Sequence, residues 1–492
     1  MKNRTRAGII ALSAPAILYL IKKRGGAKKI SGAIRRGTLA ARNAEIVRLG
    51  ARVGATYATA SARKVFSSAE RRIEIDHETE LKTAAQVSER LGNMKGALMK
   101  LGQMASYLDH GLPEPLRLAL AELQSQAPPM ASALAEQVVE EELGKPISEL
   151  FVEWDPTPIA AASIGQVHRA IIIDPVTQQQ RAVAVKVQYP GVAEAIASDL
   201  KNADLLGALL SFGFKSFSPD ELVAEIKERL TEELDYTLEA ENQKAFADYY
   251  RNHPFVHVPE VIEHLSTTRV LVTELASGIT WAELLERSQA DRDFAGEALF
   301  RFVFRSLYRF RAFNGDPHPG NYIFHVGDNG VNKISFLDYG LVKHFTVDEM
   351  NVFQNMITAA AINHDYDAFR LVIEDAGLLQ KDAPVDTNTA GEYYRLFYAP
   401  VRESHVMTWT PEYSSSIVRH TFDRNSPIAQ YSTVPRSFVF IQRINLGLYA
   451  LLGELGAVGN YRRIAEELWP MVNAGPSSAL GEAEAAWLAA KS

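Results

Sequence analysis

The spacing of hydrophobic positions changes along the chain, and each change marks a boundary. Val87, Leu91, Met94, Leu98, Leu101 and Leu108 follow three-and-four spacing, which predicts an amphipathic helix over 84–108. Further helices are predicted over 115–125, stopped by Pro128-Pro129, and over 131–143, stopped by Gly144 with Pro146 beyond. The pattern over 159–173 is β-like; after a turn at Asp174-Pro175, residues 182–187 (AVAVKV) alternate as a strand. A helix is predicted near 192–211, and a longer one after Pro219, where Leu222, Ile226, Leu230, Leu234 and Leu238 recur at i,i+4. Short strands follow over 256–262 and 269–275, and a helical pattern over 281–313. Segments 322–325 and 333–337 read as a strand pair about a turn at 327–330, and 346–470 is nearly all helical. A helical block, a mixed block and a second helical block predict a segregated α+β organisation with two lobes.

Composition adds limits. The 492 residues are 47% hydrophobic and 23% charged, which excludes a mainly disordered or collagen-like chain. The absence of Cys excludes disulfides, Cys-ligated zinc, iron–sulfur clusters and a cysteine nucleophile. The net charge of −7 hides a split: residues 1–72 hold 17 Lys/Arg and 2 Asp/Glu, a sum of +15, and the rest sums to −22. Such an arm meets phosphate, on lipid head groups or nucleic acid, or packs on the acidic body. With only Tyr57 and Phe66 as aromatics over 27–72, nucleic acid ranks last. Residues 7–21 are uncharged between flanking cations. They are too short for a span of about 20 residues and contain Pro15, so the expectation is an interfacial helix, the alternative being a first core helix. The run stops at Lys22-Lys23-Arg24, which argues against signal-peptide cleavage. The expected location is cytoplasmic or peripheral on a membrane surface, with 7–21 as an N-terminal anchor.

Five segments carry candidate chemistry. Small residues at 160–163 and Gly165, within 159–168 (IAAASIGQVH), let backbone N–H groups approach an anion, although a tight hairpin would read the same. Lys186 lies inside an apolar strand, where a cation needs a partner or must snorkel. Glu233 sits beside the apolar face of the helix after Pro219 and is the expected partner of Lys186, in competition with Glu228, Glu232 and Glu239. Asp316 and Asn321 stand five apart in the loop DPHPGN, the spacing of a catalytic Asp and a Mg²⁺-binding Asn; His318 between them reads as structural. Asp338-Tyr339-Gly340 follows a strand 22 residues after Asp316 and offers a hard carboxylate for Mg²⁺. Each signal is weak alone; their order is specific.

With Lys100-Leu101-Gly102-Gln103 on the helix 84–108, and the runs AAASIGQVH (160–168), VAVKVQYPG (183–191), ELDYTLEAEN (233–242) and DPHPGN, the chain resembles the UbiB-like, or AarF-type, atypical kinases over about 80–470. The resemblance implies a two-lobed protein-kinase-like fold. Its parts would be the arm 1–72, a helical extension 73–150, a small mixed N-lobe 151–275, a mainly helical C-lobe 276–475 and a tail 476–492. It implies ATP and Mg²⁺ as cofactors. Ile159, Ala160, Ala161, Ala162, Ser163, Ile164, Gly165, Gln166 and Val167 would cover the nucleotide, and Lys186 would contact its phosphates and pair with Glu233. Backbone at Glu274, Leu275 and Ala276 would meet adenine. Asp316 would be catalytic, and Asn321 and Asp338 metal ligands. Lys100, Gly102 and Gln103 would form a regulatory helix over the site, with Glu239 as the partner of Lys100. No H-R-D precedes Asp316, so ATP hydrolysis or small-molecule phosphorylation is expected in isoprenoid lipid, especially quinone, metabolism, with an anionic membrane surface and lipid-biosynthesis proteins as partners. The alternative is a nucleotide-gated lipid-binding or complex-assembly protein with slow hydrolysis.

Overall fold

Strand-period alternation and helix caps account for most of the element boundaries in the computed structural model. It describes residues 132–161, 164–193, 231–315, 317–421 and 435–491, with a few positions between 421 and 435. The arm 1–72, the helices expected over 84–108 and 115–125, and nearly all of that near 192–211 lie outside the described residues.

Helix α1 (Ser132–Leu143) ends at Gly144, whose φ of +68 is a left-handed value that suits glycine. Strands β1 (Glu153–Ala161), β2 (Gly165–Ile173) and β3 (Gln180–Gln188) form an antiparallel meander. Helix α2 (Tyr236–Tyr249) and the two-residue β4 (Val256–His257) precede β5 (Val270–Glu274), which pairs with β3. The sheet order is therefore β1-β2-β3-β5. The two-residue period divides β3. Val183, Val185 and Val187 are fully buried with Ala135, Val138 and Val139 of α1, and Lys186 takes the opposite face. Each buried Val contributes roughly 1.5–3 kcal/mol. Residues 132–143, the end of the extension expected over 73–150, thus pack into the core of the small lobe.

The long helix expected after Pro219 does not run on through Leu238. Helical geometry stops before Asp235 and restarts as α2, where the Asp235 carboxylate accepts the Thr237 N–H at 2.9 Å as N-cap. The apolar phase read across this break is lost. Leu238 is 42% exposed and Glu239 only 5%.

The large lobe opens with α3 (Trp281–Leu285) and α4 (Gln289–Arg305), which widens into a π turn at Ser306–Phe310. Strand β6 (Ala312–Asn314) pairs with β9 (Val342–His344), and between them lies the hairpin β7 (Tyr322–Gly327) and β8 (Gly330–Phe336), close to its expected place. Helices α5 (Val347–Ile357), α6 (Tyr366–Asp375), α7 (Thr387–Arg402), α8 (Pro411–Thr421), α9 (Arg436–Leu455), α10 (Tyr461–Leu468) and α11 (Ala479–Lys491) complete it. A two-residue ladder of Met407–Thr408 with Val458–Gly459 interrupts the helical run. The segment expected as a tail holds α11, whose Glu484 and Trp487 are buried. Helix α4 is central: Phe302 stacks on Phe336 of β8 at 3.6 Å between centroids, and Phe300 meets Tyr461 of α10 at 5.1 Å. The result is a two-lobed α+β architecture, as the resemblance implies. Among the described residues no helix is long and apolar enough to cross a membrane.

Candidate functional site

Lys186 stands on the face of β3 away from the valine core, level with Val167 of β2 and Leu271 of β5. Its ammonium donates to both oxygens of Glu239, at 2.7 and 2.8 Å, and lies 5.0 Å from the Tyr236 ring centroid. Burial works against the Lys186 charge, but Glu239 and Asp338 outweigh it and hold the pKa above the ordinary lysine value. Burial also pushes Glu239 up to about 7, against the pull of Lys186, and raises the Tyr236 phenol well above its usual range. The Tyr236 hydroxyl is buried without a hydrogen-bond partner among the described residues.

The partner of Lys186 is therefore Glu239, not Glu233. The spacing that favoured Glu233 ran from Ile226 and Leu230, upstream of the Asp235 cap; the helix that restarts at the cap turns Glu239 inward instead. Both oxygens of Glu239 accept from Lys186, and the expected pairing of Glu239 with Lys100 lies outside the described residues. Lys100, Gly102 and Gln103 lie outside the described residues, as do Ala162, Ser163 and Asp316.

The metal-ligand candidates sit on adjoining turns. His318 caps the turn Pro319–Asn321 by accepting the Gly320 N–H at 3.0 Å, a structural role. The Leu337 N–H donates to the Asn321 carbonyl at 3.0 Å, joining that turn to the end of β8. Asp338 Oδ1 accepts the Gly340 N–H at 2.9 Å, and Asn314 donates its amide to the Asp338 carbonyl. A Cβ on Gly340 would stand 3.3 Å from Asp338 Oδ1 and 3.4 Å from Glu239 Oε2, so this glycine lets the two carboxylates approach Lys186 together. Tyr339 is fully buried, its ring 5.0 Å from Phe246 of α2, and its carbonyl accepts from Asn242 at 3.3 Å. The aromatic residue of Asp-Tyr-Gly thus fixes the segment to the helix that bears Glu239. On either side of Asp316, the Gly315 N–H donates to the Leu341 carbonyl at 2.6 Å, and Pro317 packs where Gly447 of α9 leaves room. A Cβ at Gly447 would lie 2.1 Å from Pro317 Cγ.

The small-residue loop lies at the rim of the sheet. Ile159, Ala160 and Ala161 are exposed, and the Ile164 carbonyl accepts the Tyr189 N–H at 2.8 Å. Gly165 has no room for a side chain, because a Cβ would stand 2.3 Å from the Val187 carbonyl oxygen. Val167 shares the face of Lys186, but the Gln166 side chain is turned to the opposite face. Gln166 donates to His168 Nε2 at 2.8 Å, and His168 Nδ1 donates to the Asp155 carbonyl at 2.9 Å while the ring stacks on Trp154 at 4.7 Å. The Gln166 side chain therefore braces the hairpin from the face opposite Lys186. At the link between lobes, the Glu274 and Leu275 N–H groups donate to the Glu260 and Ala182 carbonyls, at 2.8 and 3.2 Å. The Glu274 carboxylate lies 3.4 Å from His257 and 3.3 Å from Arg181, and the bond to His257 leads in holding its pKa down to about 2. Ala276 follows directly in the chain.

The Asp338 carboxylate and the Asn321 amide are the residues that would hold Mg²⁺, which prefers hard oxygen donors and keeps phosphate oxygens and water in its shell. Sequence reasoning gave no role to Tyr236 and Asn242, although both lie in the run 233–242, or to Asn314. It also missed Gln188, whose amide donates to the Leu234 and Thr268 carbonyls at 2.7 and 3.1 Å and so ties β3 to the start of α2. A polar end to an apolar strand was the available signal. Gly447 had none, because its partner is 130 residues away.

A model of the ABC1 atypical kinase-like domain matches residues 122–372. The chain is 36% identical over 285 residues to "Atypical kinase COQ8B, mitochondrial" of Rattus norvegicus, covering 56% of this chain and 51% of that protein. It is 33% identical over 304 residues to "AarF domain-containing protein kinase 1" of Mus musculus, covering 60% and 57%. The matches thus span between half and three-fifths of the length of these two relatives. Among solved structures it is similar to the Rv3197–erythromycin complex from Mycobacterium tuberculosis, with a TM-score of 0.58 and 32% identity, covering 81% of this chain and 98% of that one.

Proposed function

The chain belongs to the ABC1 atypical kinase-like family, and from that membership we propose that it is an ATP- and Mg²⁺-dependent atypical kinase or ATPase in isoprenoid lipid, especially quinone, metabolism. The observation that carries the reading is Lys186 held by both oxygens of Glu239 beside the Asp338 carboxylate. A buried, paired lysine on a central strand is what steadies the phosphates of ATP in kinase-like sites. Asp338 and Asn321 would hold Mg²⁺, which when bound neutralises charge on the transferred phosphoryl group. The exposed end of β1 at Ile159, Ala160 and Ala161, with Ile164 and Gly165, would offer backbone groups to the phosphates. Ala276 is the position we assign to the base edge, since the N–H groups of Glu274 and Leu275 are already committed. Asp316 would orient an acceptor hydroxyl or water, so catalysis is positioning and charge stabilisation. The quinone assignment rests on the UbiB-like resemblance, and the anionic membrane on the +15 arm.

The mycobacterial relative solved with erythromycin, a bulky amphipathic molecule, favours a second reading in which ATP gates the binding of a lipid. Single-turnover ATP hydrolysis, with and without anionic liposomes and a phenolic head-group mimic, separates the two. The enzyme reading expects Mg²⁺-dependent phosphate release or transfer in at least one condition. Retained ATP binding with no turnover in any condition would leave the gated-binding reading.

A further inference from the structure

The helix that carries Glu239 is gripped at its other end by the last helix of the chain. Trp487 of α11 donates its indole N–H to the Arg251 carbonyl at 3.0 Å. Its ring lies within 6° of parallel with Tyr250 and 4.4 Å from His253 between centroids. Lys491 donates to the carbonyl of Tyr249, the last residue of α2, with its ammonium 5.1 Å from the Tyr249 ring centroid and 4.2 Å from that of Trp487. A helix leaves its last carbonyls without internal donors, so a lysine there both bonds one and complements the negative end of the dipole.

Glu484 anchors α11 in turn. It is 2% exposed, and its oxygens accept from Arg301 at 2.9 Å and from Arg305, both of α4. His253, just past α2, lies 3.4 Å from the same carboxylate. The C-terminal end of α2 is therefore held between α4 and α11. Glu239 and Tyr249 lie ten positions apart on α2, about 15 Å along its axis. Phe246, between them, touches Tyr339 of the Asp338 segment.

We propose that α11 is a strut for α2, and that Glu484, Trp487 and Lys491 are positioning residues that set the Lys186–Glu239 pair from the far end of that helix. The kinetic consequence rests on the phosphoryl-transfer reading; the mechanical coupling does not. The test uses the full chain carrying Lys491→Met, which alters an exposed side chain without opening the core, alongside Trp487→Ala. Amide hydrogen exchange over 239–243 should rise several-fold in Lys491→Met, and kcat for ATP should fall several-fold in protein that keeps its folded spectrum. Lys491→Arg should restore both. Faster exchange confined to 246–253 and 479–491, with kcat per folded molecule unchanged, would overturn the proposal. Should Trp487→Ala not fold, Lys491→Met and Lys491→Arg alone decide. A wild-type chain that binds and turns over no ATP, while Lys491→Met still loosens 239–243, would refute the phosphoryl reading and retain the strut.

Discussion

A lysine ammonium enclosed by Glu239, Asp338 and the ring of Tyr236 is stable only while its carboxylates stay in place. Removing Glu239 would leave a largely buried charge unpaired, a change that costs about 3–5 kcal/mol in comparable sites. We predict that Glu239→Gln lowers Mg²⁺-dependent ATP turnover by about 10²–10³-fold, the scale on which one preorganised group is lost. A double-mutant cycle read by ATP affinity should give a coupling of about 0.5–3 kcal/mol between Lys186 and Glu239, and near-additivity for Lys186 with Glu233. The lysine was legible in the sequence because a cation within AVAVKV breaks an apolar strand. Its partner was not. Glu233 and Glu239 are six residues apart, and only the Asp235 cap decides which one the helix turns inward.

Elements, more than single residues, set the loops of the site. Gly447 of α9 admits Pro317, next to Asp316 in the chain. Gly447→Ala should displace that loop and lower kcat by about 10²-fold, the penalty of roughly 1 Å of misplacement. Circular dichroism should show a retained fold. Helix α11 carries a pH dependence of its own. Burial alone would raise the Glu484 pKa, but bonds to His253 and Arg305 and the charge of Arg301 hold it down to about 2. A depressed carboxylate contributes stability above its unfolded pKa of about 4.5, and that contribution is lost as pH falls toward about 2. Glu484→Gln should therefore lower Tm at neutral pH and flatten its decline between pH 4.5 and 2, measured by thermal melts. Hairpins and helices were legible wherever local period and turn residues decided them, as at β7–β8. The incorporation of α11 was not, because the ion pairs that hold it join residues 301 and 305 to 484.

At the scale of the whole molecule, the order of small-residue loop, strand lysine, helix acid, DPHPGN and Asp-Tyr-Gly conveyed the two-lobed fold before any contact was known. The contacts across lobes, of Phe246 and Asn242 with Tyr339, came only with three dimensions. The charge split of +15 over 1–72 against −22 elsewhere suggests a basic tether on an acidic catalytic body. Deleting 1–72 should abolish salt-sensitive sedimentation with anionic liposomes and leave ATP turnover in solution within about twofold, since no residue assigned to ATP or Mg²⁺ lies in 1–72. The most direct test of the central claim compares Mg²⁺-dependent single-turnover release or transfer of the ATP γ-phosphate by the wild-type chain and by Asp338→Asn, with folding followed in parallel. The account predicts turnover by the wild type, and a folded Asp338→Asn protein that binds ATP but has lost it. Wild-type turnover by Asp338→Asn would contradict the account.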